Sequence, residues 1–215
     1  MPDTFKEIPM DQWDRKNHHQ FFIKNFHFPH ISVTAHVNIT SLLKTCNKKG
    51  ISIFHSTVYL ISKALNGIPQ FRQRIRENAV IEWAVANPSY TILSHDEKLL
   101  FCEVEYQDNF SEFYKKSLKL ADQLKVGEVF HENPEKTDNL LLMSCIPWVS
   151  FTAVNHPLHS NLYDSMPRVA WGKYFSERNT ILMPFNIQAH HSVVDGLHIG
   201  RAFKAFQEQL DNFKP

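Results

Sequence analysis

Residues 181–203 read ILMPFNIQAHHSVVDGLHIGRAF and contain a strand, a turn and a helix in direct succession. The first part is mostly apolar up to His190 and His191, which predicts a strand. The last part opens the segment LHIGRAFKAFQEQL, which places apolar residues on one broad face of a helix. Between them lies Asp195-Gly196, and glycine permits a tight turn of the backbone. Catalytic side chains are often held at such junctions, so this stretch directs both the fold prediction and the search for a site.

The rest of the chain mixes helices and strands without a repeated strand–helix–strand rhythm. Hydrophobic periodicity predicts strands over 31–39, 79–85, 139–146, 149–154, 168–175 and 181–191, and a hairpin over 89–106 that turns at 95–97. It predicts helices over 40–49, 52–66, 109–125 and 197–210. This order favours an α+β fold, a mixed-sheet two-layer sandwich, over a doubly wound sheet. We expect residues 1–215 to form a single domain.

Composition and charge exclude several functional classes. Apolar residues make up 43% of the chain, which suits a globular protein with a substantial core. The net charge is +1, so we expect no nucleic-acid partner and no binding to an anionic membrane. No stretch is long and apolar enough to cross a bilayer. Cys46, Cys102 and Cys145 form no CxxC pair, and the N-terminus lacks an apolar signal region, so we expect a cytoplasmic protein with reduced thiols.

The histidine-rich turn allows three interpretations. One histidine could be a neutral general base, because the imidazole pKa of about 6.5 suits proton abstraction near neutral pH. Alternatively, a metal could be bound by His190, His191, Asp195 and His198, although no established zinc spacing such as HExxH is present. The third possibility is that these histidines are structural. Neighbouring residues of a strand point to opposite faces, so only one of the two adjacent histidines can enter a given pocket.

Four segments in order carry a resemblance to a known family. They are QWDRKNHHQFF at 12–22, GIPQFRQRIRENAVIEWAVANPSYTIL at 67–93, MSCIPWVSFTAV at 143–154 and GKYFSERNTILMPFNIQAHHSVVDGLHIGRAF at 172–203. Together with the HHxxxDG turn, they resemble the chloramphenicol acetyltransferase family over nearly all of the chain. The resemblance implies the fold of the CoA-dependent acyltransferases, assembled as a homotrimer with active sites at subunit interfaces.

The resemblance also implies an activity and its catalytic residues. It implies acetyl transfer from acetyl-CoA to a hydroxyl of a small-molecule acceptor such as chloramphenicol, without a metal or a covalent acyl-enzyme. His191 would then be the general base, with Asp195 paired to Arg15 in a structural role. Ser144 would donate a hydrogen bond to the tetrahedral oxyanion. This chemistry is self-consistent, since a thioester is already activated and needs only a base and an oxyanion donor.

The resemblance further implies where the two substrates bind. Trp148 and Tyr174 would line the CoA side. Phe22 and Phe101 are the aromatic candidates for the acceptor pocket. Without the resemblance, each of these aromatic residues would be assigned to the core or to an interface.

Three departures from the family pattern bear on the acceptor. Ala170 stands where the family commonly has threonine, and Leu142 stands where it often has asparagine. The aromatic-rich stretch that helps to form the antibiotic pocket corresponds here to NHPLHSNLYDSMPRVA, residues 155–170. These departures leave open another hydroxylated acceptor, or a non-catalytic protein that binds CoA or a small ligand. Transfer to dihydrolipoamide is a further alternative, because dihydrolipoamide acyltransferases carry a related DHRxxDG turn.

Overall fold

The computed structural model describes residues 4–126 and 138–215. A seven-stranded mixed sheet forms the centre of this part of the chain, and a three-stranded antiparallel sheet lies beside it. The strands are β1 Phe5–Pro9, β2 His30–Asn38, β3 Gln73–Ile75, β4 Ala79–Trp83, β5 Asn87–Leu93, β6 Leu99–Glu103, β7 Leu140–Ile146, β8 Arg168–Gly172, β9 Phe175–Glu177 and β10 Thr180–His190. The helices are α1 Lys16–Asn25, α2 Thr40–Lys49, α3 Ile53–Asn66, α4 Phe110–Val126 and α5 Gly196–Asp211, with a 3-10 turn at Pro69–Arg72.

The large sheet has the strand order β2-β10-β8-β7-β5-β6, with β9 paired to β10. Strand β7 runs parallel to both β5 and β8, whereas β10 is antiparallel to β8 and β2. The small sheet has the order β1-β4-β3. The mixed sheets confirm the predicted α+β class.

One face of the large sheet packs against the helices and forms the core. The strand register aligns a row of buried residues on this face: Ile187, Val169, Met143, Tyr90 and Cys102. They share one hydrophobic cluster with residues of α3 and α5. Helix α3 is buried along almost its whole length, which explains its continuous apolar sequence. The arrangement is the predicted two-layer sandwich.

Most predicted boundaries agree with the structure. Helix α2 ends where Gly50 adopts φ 65°, the left-handed conformation that glycine tolerates best. Helix α3 begins at a cap in which Ser52 accepts a hydrogen bond from the backbone N–H of His55. The predicted hairpin is formed by β5 and β6, and the turn after β9 contains Arg178 at φ 53°.

The strand predicted over residues 149–154 is wrong. This segment contains no strand and instead crosses the sheet through isolated contacts. Its Val149 carbonyl accepts a hydrogen bond from the Lys173 N–H, and its Val154 carbonyl accepts one from the Ser32 hydroxyl. The Val149 oxygen lies so near the sheet that a Cβ at Gly172 would stand 2.6 Å from it. Only Phe151 of this segment is buried, so the alternating apolar residues do not mark a strand here.

Candidate active site

The two adjacent histidines at the end of β10 have different surroundings. His190 is buried, and its Nε2 donates to the carbonyl of Leu162 at 3.0 Å. Its Nδ1 accepts from the backbone N–H of Ser192 at 3.2 Å. Burial lowers the pKa of His190 to about 3, and the neighbouring His30 acts in the same direction. With both ring nitrogens engaged, His190 has the environment of a structural residue.

His191 points into a different environment. Its ring stacks on Phe22 of α1, with ring centroids 4.4 Å apart and an interplanar angle of 21°. Its backbone N–H donates to the carbonyl of Pro29 at 2.7 Å. Nδ1 is buried and has no hydrogen-bond partner within residues 4–126 and 138–215. Nε2 is therefore the ring nitrogen that can meet a substrate.

Arg15 holds the turn that carries His191. Its Nη1 lies 2.9 Å from Oδ2 of Asp195, and its Nε donates to the carbonyl of Ser192 at 2.7 Å. A third, longer contact of 3.4 Å joins Nη2 to the carbonyl of His191. The contact expected between Arg15 and Asp195 is thus present, across 180 positions of sequence.

Asp195 also begins helix α5. Its Oδ1 accepts from the backbone N–H groups of Leu197 and His198 and lies 2.8 Å from His198 Nδ1. Burial raises the pKa of Asp195, but the hydrogen bond from Arg15 and the charges of His198 and Arg15 outweigh it and hold the pKa below its ordinary value. The carboxylate is therefore ionised at neutral pH and joins the helix cap to Arg15.

Ser144, Trp148 and Tyr174 lie toward the other end of the large sheet. Ser144 is half-buried on β7, on the face opposite the helices. Trp148 follows β7 and is 67% exposed, and Tyr174 follows β8 and is 47% exposed. Tyr174 borders a mostly apolar cavity of about 510 Å³ that lies between α3 and the sheet.

Strand register shows that Ser144 and His191 do not meet within one chain. Ser144 is opposite Ala170 on β8, and Ala170 is opposite Asn186 on β10. His191 lies five positions after Asn186, which corresponds to roughly 17 Å along the strand direction, and two strand spacings add roughly 10 Å across the sheet. A single chain therefore carries two separate half-sites. We call the surroundings of His191, Asp195, Arg15 and Phe22 the base half-site, and those of Ser144, Trp148 and Tyr174 the oxyanion half-site.

The two aromatic acceptor candidates divide between these half-sites. Phe22 stacks on His191 and contacts Phe21 and Phe26, which are both about half exposed. Phe101 is on β6 opposite Thr91, on the same sheet face as Ser144. The structure does not bring Phe22 and Phe101 together within one chain.

The sheet face that carries Ser144 also contains a buried ion pair that sequence reasoning missed. Arg168, opposite Leu142 in the register, binds Asp164 through Nη1–Oδ1 at 3.1 Å and Nη2–Oδ2 at 2.6 Å. The two side chains are 5% and 1% exposed. The available signal was the Asp-x-x-x-Arg spacing within residues 155–170. Ala170, the departure noted above, is fully buried two residues along the same strand.

The four residues that could together bind a metal each make other contacts. His190 bonds backbone groups, His191 stacks on Phe22, and Asp195 joins His198 and the Arg15 guanidinium. In the described ranges, no three histidine, cysteine, aspartate or glutamate side chains are arranged to hold a metal ion. The same ranges contain no helix that is long and apolar enough to cross a membrane.

Known proteins resemble this chain over nearly its whole length. The family model described as chloramphenicol acetyltransferase matches residues 3–207. A chloramphenicol acetyltransferase of Clostridium perfringens is 32% identical over 215 residues, covering 98% of this chain and 96% of the relative. One from Staphylococcus aureus is 32% identical over 208 residues, covering 95% of each chain.

Solved structures share the fold at lower identity. A chloramphenicol acetyltransferase matches with a TM-score of 0.84 and 23% identity, covering 96% of this chain and 100% of the other. The cubic core of a pyruvate dehydrogenase multienzyme complex matches with a TM-score of 0.68 and 14% identity, covering 91% and 86%. The fold is that of the CoA-dependent acyltransferases. Within this class, the chain belongs to the chloramphenicol acetyltransferase family.

Proposed function

We propose that this protein transfers the acetyl group of acetyl-CoA to a hydroxyl of chloramphenicol, which inactivates the antibiotic and confers resistance. The observation that carries the proposal is that the position of the His191 imidazole is fixed. His191 lies on a turn anchored by Arg15, and its ring stacks on Phe22. Family membership supplies the substrate pair. The whole chain acts as one catalytic domain.

The reaction follows from one base and one oxyanion donor. Nε2 of His191 takes the proton of the acceptor hydroxyl while its oxygen bonds to the acetyl carbonyl carbon. The Ser144 hydroxyl donates a hydrogen bond to the oxyanion that forms. When this intermediate collapses, the carbon–sulfur bond breaks and the CoA thiolate takes the proton from the imidazolium. Trp148 and Tyr174 contact CoA, and no metal takes part.

A second copy of the chain completes the site in this proposal. Since Ser144 and His191 lie far apart within one chain, the base half-site of one subunit meets the oxyanion half-site of its neighbour. Phe22 then comes from the first subunit and Phe101 from the second, so both can border one acceptor. A homotrimer with three such interfaces closes the assembly.

We place the enzyme in the cytoplasm, in contact with the cellular pool of acetyl-CoA. Cys46, Cys102 and Cys145 are free thiols, which agrees with a reducing compartment. The substrates are small molecules, and neither nucleic acid nor a membrane is a partner.

One observation favours a second acceptor, another hydroxylated small molecule. The buried Arg168–Asp164 pair occupies the stretch that corresponds to the aromatic part of the family's antibiotic pocket. A charged pair in place of aromatic rings favours an acceptor more polar than chloramphenicol.

Thiol release tests both acceptors. Purified protein with acetyl-CoA should release free CoA when chloramphenicol is added, and His191→Ala should reduce kcat by several orders of magnitude. The variant Lys48→Gln, at an exposed position on α2 away from both half-sites, should keep the wild-type rate and serves as the control. Turnover of another alcohol but not of chloramphenicol would select the second acceptor. Equal rates for wild type and His191→Ala would remove the assigned base.

A further inference from the structure

The buried Arg168–Asp164 pair holds the loop that precedes β8, residues 159–166. Asp164 lies in this loop, and its carboxylate accepts two hydrogen bonds from the Arg168 guanidinium at 3.1 and 2.6 Å. Oδ2 of Asp164 also accepts from the backbone N–H of His159 at 3.0 Å, and Nη1 of Arg168 donates to the carbonyl of Met166 at 3.0 Å. The pair thereby fixes both ends of the loop as well as Asp164 between them. We call residues 159–166 the anchored loop.

The anchored loop directs two backbone carbonyls at partly or fully buried histidines. The Leu162 carbonyl accepts from Nε2 of His190 at 3.0 Å, and the Asp164 carbonyl accepts from Nε2 of His30 at 2.9 Å. His30 and His190 are opposite each other on β2 and β10, and their rings meet edge to face with centroids 5.1 Å apart. The loop therefore covers the end of the sheet at which β10 leads into the turn of His191.

These carbonyls fix which ring nitrogen of each histidine carries the proton. Burial lowers the pKa of both imidazoles, so both are neutral at pH 7 and each has one N–H group. A carbonyl only accepts hydrogen bonds, so the N–H of His190 is at Nε2 and its Nδ1 carries no proton. This Nδ1 accepts from the backbone N–H of Ser192 at 3.2 Å. The tautomer that the Leu162 carbonyl selects is thus the one that the turn requires.

Ser192 directly follows the proposed base and is held from three sides. Its backbone N–H is bound by His190, its carbonyl accepts from Arg15 at 2.7 Å, and its hydroxyl lies 3.2 Å from Nδ1 of His19. A small displacement of a catalytic group lowers the rate strongly, because the reacting atoms must approach each other closely. Of the three contacts, the one through His190 leads back to the anchored loop. The position of His191 therefore depends on that loop.

We infer that Arg168 and Asp164 are a positioning pair for the general base. The pair fixes the anchored loop, the loop selects the tautomer of His190, and His190 holds the turn on which His191 lies. This inference rests on the proposed role of His191. It assigns to the pair a contribution to kcat that requires no contact with either substrate.

The shape of the guanidinium matters for this role. Burying two charges costs solvation free energy that their attraction barely repays, so stability alone explains the pair poorly. Arginine presents its donors in a rigid planar fork, whereas lysine has a compact ammonium on a flexible stem. At Arg168, the fork reaches Asp164 and Met166 together. Lysine at this position keeps the charge but does not reproduce the fork.

Steady-state kinetics of Arg168→Lys, with both substrates varied, test the inference. The variant should lower kcat roughly three- to thirtyfold, because the turn of His191 loses part of its support. KM for acetyl-CoA should not change. The double variant Asp164→Asn with Arg168→Met removes both charges and should show a similar loss of kcat. It replaces Arg168→Lys if that variant does not fold.

The tautomer of His190 gives a second measurement, which a loss of stability alone would not alter. In nitrogen-15 NMR of histidine-labelled protein, the wild type should show His190 protonated at Nε2 only. Arg168→Lys should show a mixture of the Nε2–H and Nδ1–H forms. His190→Gln identifies the resonance, because its spectrum lacks that signal.

Arg72→Lys is the matched control. Arg72 lies 3.5 Å from Glu82 and donates to the carbonyls of Asn66 and Trp83, so it also uses several donors of its fork. None of these partners belongs to the anchored loop or to the turn of His191. Arg72→Lys should therefore lower Tm and leave both kcat and the His190 signal unchanged.

The results separate this inference from the proposed function. An unchanged kcat in Arg168→Lys would overturn the positioning role and leave the proposed function standing. A changed KM for the acceptor with an unchanged kcat would instead assign the pair to the acceptor pocket. A lower kcat with the wild-type tautomer of His190 would refute the route through that residue. A wild type that turns over no tested alcohol would overturn both the inference and the proposed function.

Discussion

Phe22 and His191 form a stacked pair, with ring centroids 4.4 Å apart and ring planes inclined by 21°. The two residues come from α1 and from the turn after β10, so the pair joins elements at opposite ends of the chain. The stack covers one face of the imidazole and restricts its rotation. We therefore expect Phe22 to position the base.

Replacing Phe22 by leucine should lower kcat roughly three- to tenfold, the range that corresponds to the loss of one aromatic pair. KM for acetyl-CoA should not change, because the CoA side lies in the oxyanion half-site. Phe22→Tyr retains the stacked ring and should keep most of kcat. Steady-state kinetics with both substrates varied would measure this, and full kcat in Phe22→Leu would refute the positioning role.

The Arg15–Asp195 pair gives a prediction for both stability and rate. Asp195→Asn keeps the helix cap but loses the charge, so it should lower the free energy of unfolding by roughly 1–2 kcal/mol at pH 7. It should also lower kcat, because the turn that carries His191 loses its anchor. Denaturant unfolding and kinetics measure the two effects.

The stability effect of Asp195 should depend on pH in one direction. The folded state holds the pKa of Asp195 below its ordinary value of 3.8, so the stabilisation is present above that value. As pH falls through the lower, folded-state pKa, the carboxylate is protonated and the stabilisation is lost. The gap between wild type and Asp195→Asn should therefore close in acid. A gap that stays constant down to acid pH would show that the charge is not responsible.

The division of the site between two copies predicts complementation between inactive variants. His191→Ala and Ser144→Ala should each be nearly inactive alone. When the two chains are refolded together, sites that combine His191 of one copy with Ser144 of another should recover roughly a quarter of wild-type activity. A mixture that stays inactive, although mixed oligomers form, would place both residues of each site in one chain.

Because His190 is buried, we expect the stability of the folded protein to fall in acid. The pKa of His190 is about 3 in the folded protein, against 6.5 for the free side chain. The unfolded chain therefore binds a proton that the folded chain excludes, and stability falls as pH drops below 6.5. Between pH 6.5 and 5 this costs about 2 kcal/mol. His190→Gln should lose stability less steeply over that window, whereas the exposed His18→Gln should follow wild type.

Because the Arg168–Asp164 pair is buried, we expect a single variant to lose much more stability than the double variant does. Arg168→Met leaves a buried carboxylate without its partner and should cost roughly 3–5 kcal/mol of stability. The double variant Asp164→Asn with Arg168→Met removes both charges and should recover much of that loss. If the pair shapes the acceptor pocket, the double variant should change KM for the acceptor and not for acetyl-CoA. Unfolding curves and kinetics would decide both points.

Local patterns in the sequence were enough to predict most elements of this fold. Helical and alternating periodicities located α2, α3, α4 and α5 and the hairpin of β5 and β6, because the side-chain spacing of helices and strands is a local property. The His-Asp turn was visible for the same reason. The segment 149–154 misled the prediction, since its apolar residues alternate although most of the segment is exposed and joins no ladder.

Relations between distant segments were decided by the tertiary structure. The sequence carries Ser144 and His191, but only strand order and register show that one chain holds them in separate half-sites. The Arg168–Asp164 pair likewise depends on what covers the two side chains. The sequence by itself thus determined the local elements and the catalytic turn. Which residues share a pocket depends on the packing of strands far apart in the chain, and side-chain periodicity does not encode that packing.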